Sequence, residues 1–260
     1  MNDASLAPAA LERLSRETFV RSVEYYAELE STQDRAVECA GDPAVALPLL
    51  VLTARQTAGR GRGVRRWWAS PGALTFSLVV DANTVPSVDA RLSVATALAV
   101  RSALAELHPA GRFQVKWPND VLLHGRKVAG ILLDRPVSHL DRLVVGLGIN
   151  VNNSLDPAPD DVRARGATLS AEIARPFRLG DVLKRVLLQL ECVWHELADG
   201  RLDLPEAWAP HCRLQGRRVT VLQGSRTVDG VCHGVDAMGN LLIDGPNGLV
   251  AMASGTVTRP

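Results

Sequence analysis

Three stretches of the chain carry residues able to hold an anion. The first is Gln56-Thr57-Ala58-Gly59-Arg60-Gly61-Arg62-Gly63-Val64-Arg65-Arg66-Trp67-Trp68. Glycine lets a backbone approach a ligand closely, and arginine offers forked donors that match carboxylate or phosphate. The second is Lys116, which ends the run Phe113-Gln114-Val115 and precedes Trp117-Pro118-Asn119-Asp120. Only three lysines occur, Lys116, Lys127 and Lys184, and two of them fall between Phe113 and Val151. A compact ammonium there suits a carboxylate or phosphate. The third is Ser31-Thr32, with Asp34 three residues after Ser31. Local sequence reads this first as a capping box opening a helix to about Cys39. The chemistry implied is an Arg60, Arg62 and Lys116 cluster holding one anion or a pair. A solvated loop, or an arginine-glycine segment for nucleic acid, are the alternatives. Both are weakened because the loop is short and lies between two strong strand patterns.

These residues need a scaffold, and hydrophobic periodicity supplies one. Leu49 to Ala54 is a continuous apolar run, read as a buried strand. Ala73 to Val80 alternates as the next strand, so the glycine-arginine loop joins paired strands. Tyr25 to Glu30 reads as a further strand. Val88 to Leu107 carries the apolar stripe of a helix ended by His108-Pro109. Pro118 drives Trp117 to an extended conformation and places a large ring beside Lys116. Val121 to Leu123 and Lys127 to Leu133 flank the hairpin signal His124-Gly125. Leu143 to Val151 is another strand. Asn152 to Arg165, with Pro157 and Pro159, reads as a mobile loop. Asp181 is expected to cap a helix whose face is Val182, Val186, Leu190, Val193, Trp194 and Leu197, with Gly200 ending it. From about Leu214 onward, short strands are punctuated by Gly224, Gly230, Gly239-Asn240 and Asn247-Gly248, the pattern of a small β-barrel of SH3-like size.

Bulk properties remove several classes. At 260 residues and net charge +1, the chain can bury a sizeable core but has no general basic field for nucleic acid or anionic membrane. Cys39, Cys192, Cys212 and Cys232 are scattered without a Cys-x-x-Cys pair, as in reduced cytoplasmic proteins. No apolar run is long enough to span a bilayer. Gly125-Arg126-Lys127 is followed by valine and forms no P-loop, and Gly146-x-Gly148 lacks the third glycine of the dinucleotide fingerprint. His195-Glu196 has no second histidine four residues on, and no Gly-x-Ser-x-Gly elbow occurs.

Five motifs in order define a resemblance: Glu30-Ser31-Thr32, Gln56 to Arg62, Lys116 to Asp120, Lys127-Val128-Ala129-Gly130-Ile131-Leu132, and Gly148-Ile149-Asn150-Val151. Together they resemble the biotin protein ligases, or biotin–[acetyl-CoA-carboxylase] ligases, from about Glu30 to the C-terminus. The resemblance implies a class II synthetase-like α/β (α+β) catalytic domain and a C-terminal SH3-like barrel. The expected division is a leader over 1–20, the catalytic domain over 21–212 and the barrel over 213–260. It implies ATP and magnesium as cofactors, biotinyl-5′-AMP as intermediate, and transfer to one lysine of a biotin carboxyl carrier protein.

By the family's pattern, Ser31, Thr32 and Gln56 bond the ureido ring, with Gln33 and Gly130 also at the biotin site. Arg60-Gly61-Arg62 closes over biotin and phosphate, and Lys116 bridges the biotin carboxylate and α-phosphate, so that Lys116 and Arg62 are the catalytic pair. Arg65, Asn119, Lys127 and Asn150 join Arg62 around the nucleotide, and Trp67 or Trp68 stacks on adenine. No protein metal site is expected. Buried ureido donors and acceptors would be costly to leave unpaired, which suits polar groups at Ser31, Thr32 and Gln56.

Three departures stand out: Gln33 where the family has asparagine, a loop one residue longer before Trp67-Trp68, and Gly255-Thr256-Val257 where it has Gly-Glu-Val/Ile. The last touches the final steps or a domain contact. The short N-terminus leaves no room for the DNA-binding domain of some members, so ligation without DNA binding is expected. Pairing of two copies, as in some relatives, is left open. The competing readings are a lipoate or octanoate transferring enzyme of the same fold, and a non-catalytic biotin- or nucleic-acid-binding module.

Overall fold

In the computed structural model, which describes residues 4–85 and 90–259, the chain builds one large and one small sheet. A 3-10 turn, Ala4–Leu6, and helix α1 (Pro8–Glu17) come first. Then follow β1 (Ser22–Tyr26), α2 (Thr32–Cys39), β2 (Leu49–Thr53), β3 (Leu74–Asp81) and α3 (Ala90–Leu107). Strands β4 (Phe113–Lys116), β5 (Asp120–Leu123), β6 (Arg126–Asp134) and β7 (Arg142–Ile149) complete the large sheet. Helices α4 (Asp160–Arg165), α5 (Leu169–Ile173), α6 (Leu179–Ala198) and α7 (Leu204–Trp208) lead to the small sheet. Its strands are β8 (Arg218–Gln223), β9 (Arg226–Val235), β10 (Leu241–Gly245), β11 (Gly248–Met252) and β12 (Thr256–Arg259).

The large sheet has the order β1-β2-β3-β7-β6-β5-β4; β1 and β2 are parallel and every other pairing is antiparallel. Side chains alternate between its faces, as the period of two requires. Leu50, Leu52, Phe76, Leu78, Val145 and Leu147 face the main core under α3 and α6. Leu49, Val51, Val79 and Val144 face α2 through Ala36 and Cys39. The second face is thus only partly covered, and the part that α2 leaves open holds the candidate site.

Several sequence expectations are corrected. The first strand lies at Ser22–Tyr26 rather than Tyr25 to Glu30, because pairing with Leu49–Thr53 starts at Ser22. The segment Asn152 to Arg165 contains α4, with Asp160 and Asp161 in its first turn and Arg163 and Arg165 in its last, each sign favoured by the helix dipole. Asp181 sits inside the first turn of α6, whose N-cap is Arg178. Gly230 lies within β9 against Asp244 rather than in a turn. Val88, expected to start α3, falls outside the described residues. The N-terminal segment shares the main core: Leu6, Leu11 and Leu14 are buried, and Glu17 pairs with Lys184 of α6 at 2.7 Å.

The small sheet is antiparallel, in the order β11-β10-β9-β8-β12. It joins the large one through Trp117. That ring is buried, with its Nε1 donating to Gly239 O at 3.1 Å. Arg213 N also donates to Val115 O at 2.8 Å. Trp117 is therefore a domain anchor pointing away from the face that carries Lys116.

Candidate active site

One cross-strand row sets the floor of the site. Register pairs Lys116 with Asp120, Asp120 with Gly130, Gly130 with Gly148, and Gly148 with Thr75. A parallel row pairs Leu132 with Gly146 and Gly146 with Ser77. Directly paired residues share a face, so the floor under the cleft is built from Gly130, Gly146, Gly148 and Ser77. Each glycine is overlain by a functional side chain. A Cβ on Gly148 would overlap the Trp67 ring, lying 2.5 Å from its Nε1. One on Gly146 would overlap Gln33 Oε1, and one on Gly130 would lie 3.0 Å from Lys127 Nζ.

Lys127 reaches this face through a fault in the strand. Strict alternation from Gly130 would turn Lys127 to the opposite side. The register shifts between the Val121–Ala129 and Leu122–Lys127 pairs, so Val128 is an extra residue on β6. Val128 and Ala129 consequently both enter the core, and Lys127 turns toward the cleft. A bulge re-aims a side chain in this way. Lys127 Nζ then lies 2.5 Å from Asp120 Oδ1 and 5.6 Å from the centre of the Trp67 ring.

The cleft runs between two chemically unlike ends. One end is neutral and polar. Ser31 caps α2, its Oγ accepting from Asp34 N at 3.4 Å. Thr32 donates from N and Oγ1 to Gln56 Oε1 at 2.9 and 3.2 Å. Ser77 Oγ lies 3.0 Å from both Thr32 Oγ1 and Gln33 Oε1, and Gln33 Nε2 donates to Asp134 at 3.2 Å. The other end is cationic. Arg62, Arg65 and Arg66 line it with no carboxylate in ion-pair range among the described residues. Among the described residues Asp120 is the one carboxylate lining the cleft. Burial and then the neighbouring Arg65 push the Arg62 pKa down, against the pull of Asp120. Burial likewise lowers the Lys116 pKa, with Asp120 opposing and Lys127, Arg165 and Arg65 adding to the shift. Cations held back chiefly by burial in this way suit an anionic ligand. Arg60 differs, because Asp34 at 2.8 Å and Asp134 at 3.3 Å already occupy it.

A second cleft adjoins the first across Arg66, Trp67 and Lys127, and is also lined by Trp68, Asn150, Val162 and Arg165. The indole N–H groups of Trp67 and Trp68 are buried without a partner among the described residues. Asn150 is buried and accepts from Asn153 at 3.2 Å.

Of the residues singled out in the sequence, Ser31, Thr32, Gln33, Gln56, Arg60, Gly61, Arg62, Arg65, Trp67, Asn119, Lys127 and Gly130 line the first cleft. Trp68 and Asn150 line the second. Lys116 lines neither. It stands on the edge strand β4, in the same cross-strand row as Asp120, Gly130 and Gly148 and so on the face that carries the cleft; the lysine that lines the cleft is Lys127. Ser77, Asp120, Asp134, Gly146 and Gly148 were missed. The Gly146-x-Gly148 spacing was their available signal, since in a strand it bares one face at two successive positions.

The match to known proteins is consistent along the chain. Residues 27–150 match the Biotin/lipoate A/B protein ligase family, and residues 215–258 match the Biotin protein ligase C terminal domain. A biotin–[acetyl-CoA-carboxylase] ligase of Paracoccus denitrificans is 32% identical over 233 residues, covering 85% of this chain and 94% of the relative. The chain belongs to the biotin protein ligase family. A second biotin–[acetyl-CoA-carboxylase] ligase, from Mycobacterium tuberculosis, is 30% identical, covering 98% of this chain and 97% of the relative. Among solved structures, the biotin protein ligase of Aquifex aeolicus in complex with biotin and ATP superposes with a TM-score of 0.82 at 27% identity. That match covers 92% of this chain and 100% of the other. A mixed α/β catalytic domain with a small SH3-like C-terminal unit is thus the architecture of this biotin protein ligase family member.

Proposed function

We infer that the protein activates biotin with ATP and transfers it to a lysine of a biotin carboxyl carrier protein. The observation that carries this reading is the polarity of the first cleft: a neutral hydrogen-bonding end at Thr32, Gln56 and Ser77 continues into a cationic end at Arg62, Arg65 and Lys127. A ureido ring suits the first, and a carboxylate meeting a phosphate suits the second.

In the first step a biotin carboxylate oxygen bonds to the α-phosphorus of ATP, and the bond to pyrophosphate breaks. Two anions must approach within bonding distance. Lys127, Arg62 and Arg65 offset their repulsion and stabilise the charge growing on the α-phosphate. We assign the bridging role to Lys127 on its place in the cleft lining; the family resemblance assigns it to Lys116, on the same face one strand farther out. In the second step the carrier lysine amine attacks the acyl carbon, a C–N bond forms and AMP leaves with the carboxylate oxygen. Trp67 and Trp68, with Asn150, bound the second cleft and are assigned to the nucleotide. Trp67 is assigned the stacking role because it alone of the pair borders both clefts.

Among the described residues no cluster of three or more His, Cys, Asp or Glu side chains could hold a metal. A magnesium ion that enters on the ATP phosphates keeps few protein ligands, and Asp120, the carboxylate of the cleft lining, is the residue that would face it. When bound, that ion would neutralise phosphate charge.

Lipoate is the alternative substrate. A fatty chain makes no use of the hydrogen-bonding groups at Thr32, Gln56 and Ser77, whereas a ureido ring does. The test is to incubate the protein with ATP, a purified carrier domain and biotin or lipoate, and to weigh the carrier. Biotinylation of one carrier lysine with biotin alone is expected; lipoylation in its place would overturn the reading.

A further inference from the structure

Arg62 and Arg65 have no carboxylate partner among the described residues, yet each is held. Arg62 Nη2 donates to Gly255 O at 3.2 Å, and Arg65 Nη2 donates to Thr256 Oγ1 at 3.0 Å. Gly255 immediately precedes β12 and Thr256 opens it, and β12 is an edge strand of the small sheet. The small sheet is itself fixed to the large one through Trp117 and Gly239. Gly255 lies close against β8: a Cβ there would come 2.7 Å from Val221 Cγ1. The glycine-arginine loop is also closed on itself, with Gly61 N donating to Arg65 O and Trp67 N to Gly59 O, both at 2.9 Å. Its tip, Val64, is fully exposed.

We propose that the Gly255-Thr256 edge of the small sheet is a positioning element for the arginine loop, holding Arg62 and Arg65 in place over the cleft before any ligand binds. The choice of acceptors matters. A carbonyl and a hydroxyl orient a guanidinium without cancelling its charge, whereas a carboxylate would neutralise much of the field meant for the incoming anions. Thr256 offers Arg65 a neutral hydroxyl, so Arg65 is tethered without an ion-pair partner. Thr256 acts through Arg65 and is a positioning residue rather than a catalytic one. The proposed effect on the reaction rests on the biotin-ligase reading; the tether does not.

The test uses Thr256→Val, which keeps the shape and removes the acceptor. Thr256→Ser is the rescue. Thr258→Val is a control on the same strand, since Thr258 bonds Thr220 O and does not touch the loop. Limited trypsinolysis of ligand-free protein reads loop opening directly at Arg60, Arg62, Arg65 and Arg66. Losing one partly exposed hydrogen bond should raise nicking in Thr256→Val by about threefold, with Thr256→Ser and Thr258→Val near wild type. In biotin-dependent pyrophosphate exchange, Thr256→Val should raise the KM for ATP by a similar factor and leave kcat unchanged, because only the competent fraction of free enzyme falls. Thr256→Ser should restore it. Nicking of Thr256→Val at the wild-type rate, or failure of Thr256→Ser to restore that rate, would overturn the proposal. Nicking needs no substrate, so its outcome stands apart from the fate of the biotin reading.

Discussion

Replacing Lys127 by alanine should be far more damaging to adenylation than replacing Lys116, and the sheet geometry gives the sizes. Lys127 Nζ lies inside the cleft and pairs with Asp120 at 2.5 Å. Its loss removes a donor aimed at the reacting oxygens, a change that costs about 3 kcal/mol in preorganised oxyanion sites. It also leaves Asp120 as an unbalanced negative charge facing two incoming anions. At an effective dielectric near 20 and a separation of about 6 Å, that repulsion is roughly 3 kcal/mol. The Lys127 side chain is 34% exposed, so screening reduces the second contribution to ~1 kcal/mol. About 4 kcal/mol in total predicts a loss near a thousandfold in kcat/KM. Lys116 stands one strand farther out on the same face, about 4.8 Å away, and is outside the lining of the cleft. Its alanine variant should lose about tenfold. The assay is biotin-dependent exchange of labelled pyrophosphate into ATP, with circular dichroism confirming that both variants fold. A Lys116→Ala variant as crippled as Lys127→Ala, or a Lys127→Ala variant within tenfold of wild type, would refute the reasoning.

Gly148→Ala should unseat Trp67, whose ring occupies the space of the new methyl group. The expected result is a KM for ATP raised by about tenfold or more, because stacking with a base is worth 1–3 kcal/mol; an unchanged KM would remove Trp67 from the nucleotide site. Thr32→Val should weaken biotin binding about tenfold, by leaving Gln56 and Ser77 short of a partner, as calorimetry would show. Glu24→Gln should lower stability at neutral pH by ~1 kcal/mol. Burial alone would raise the Glu24 pKa, but hydrogen bonds from Arg35 and Tyr26 outweigh it and hold the value below normal. The carboxylate thus contributes stability above the unfolded pKa and loses it as pH falls through the lowered folded value. Denaturant midpoints for wild type and variant should converge in acid; a constant gap would contradict this.

Local rules made much of this site legible. Ser31 caps α2, and His124-Gly125 turns a hairpin with both residues at positive φ. The apolar runs became β2, β3 and β7. The errors arose where a long-range contact overrode a local pattern. Lys127, expected at the nucleotide from the resemblance, does line the cleft, but only the partner strand reveals the bulge that turns it there. Trp117 beside Lys116 looked like part of the site, yet it is buried toward the small sheet. Gly146 and Gly148 read as a failed dinucleotide motif until pairing laid Gln33 and Trp67 over them. Asn152 to Arg165 looked like a loop because its prolines dominate, although the charges of α4 are arranged to suit a helix.

The most direct test of the central claim is pyrophosphate exchange by the wild-type protein with biotin, lipoate and octanoate supplied separately. The account predicts labelled ATP with biotin and none above background with either acyl chain. Exchange driven by lipoate or octanoate, or none with biotin, would contradict it.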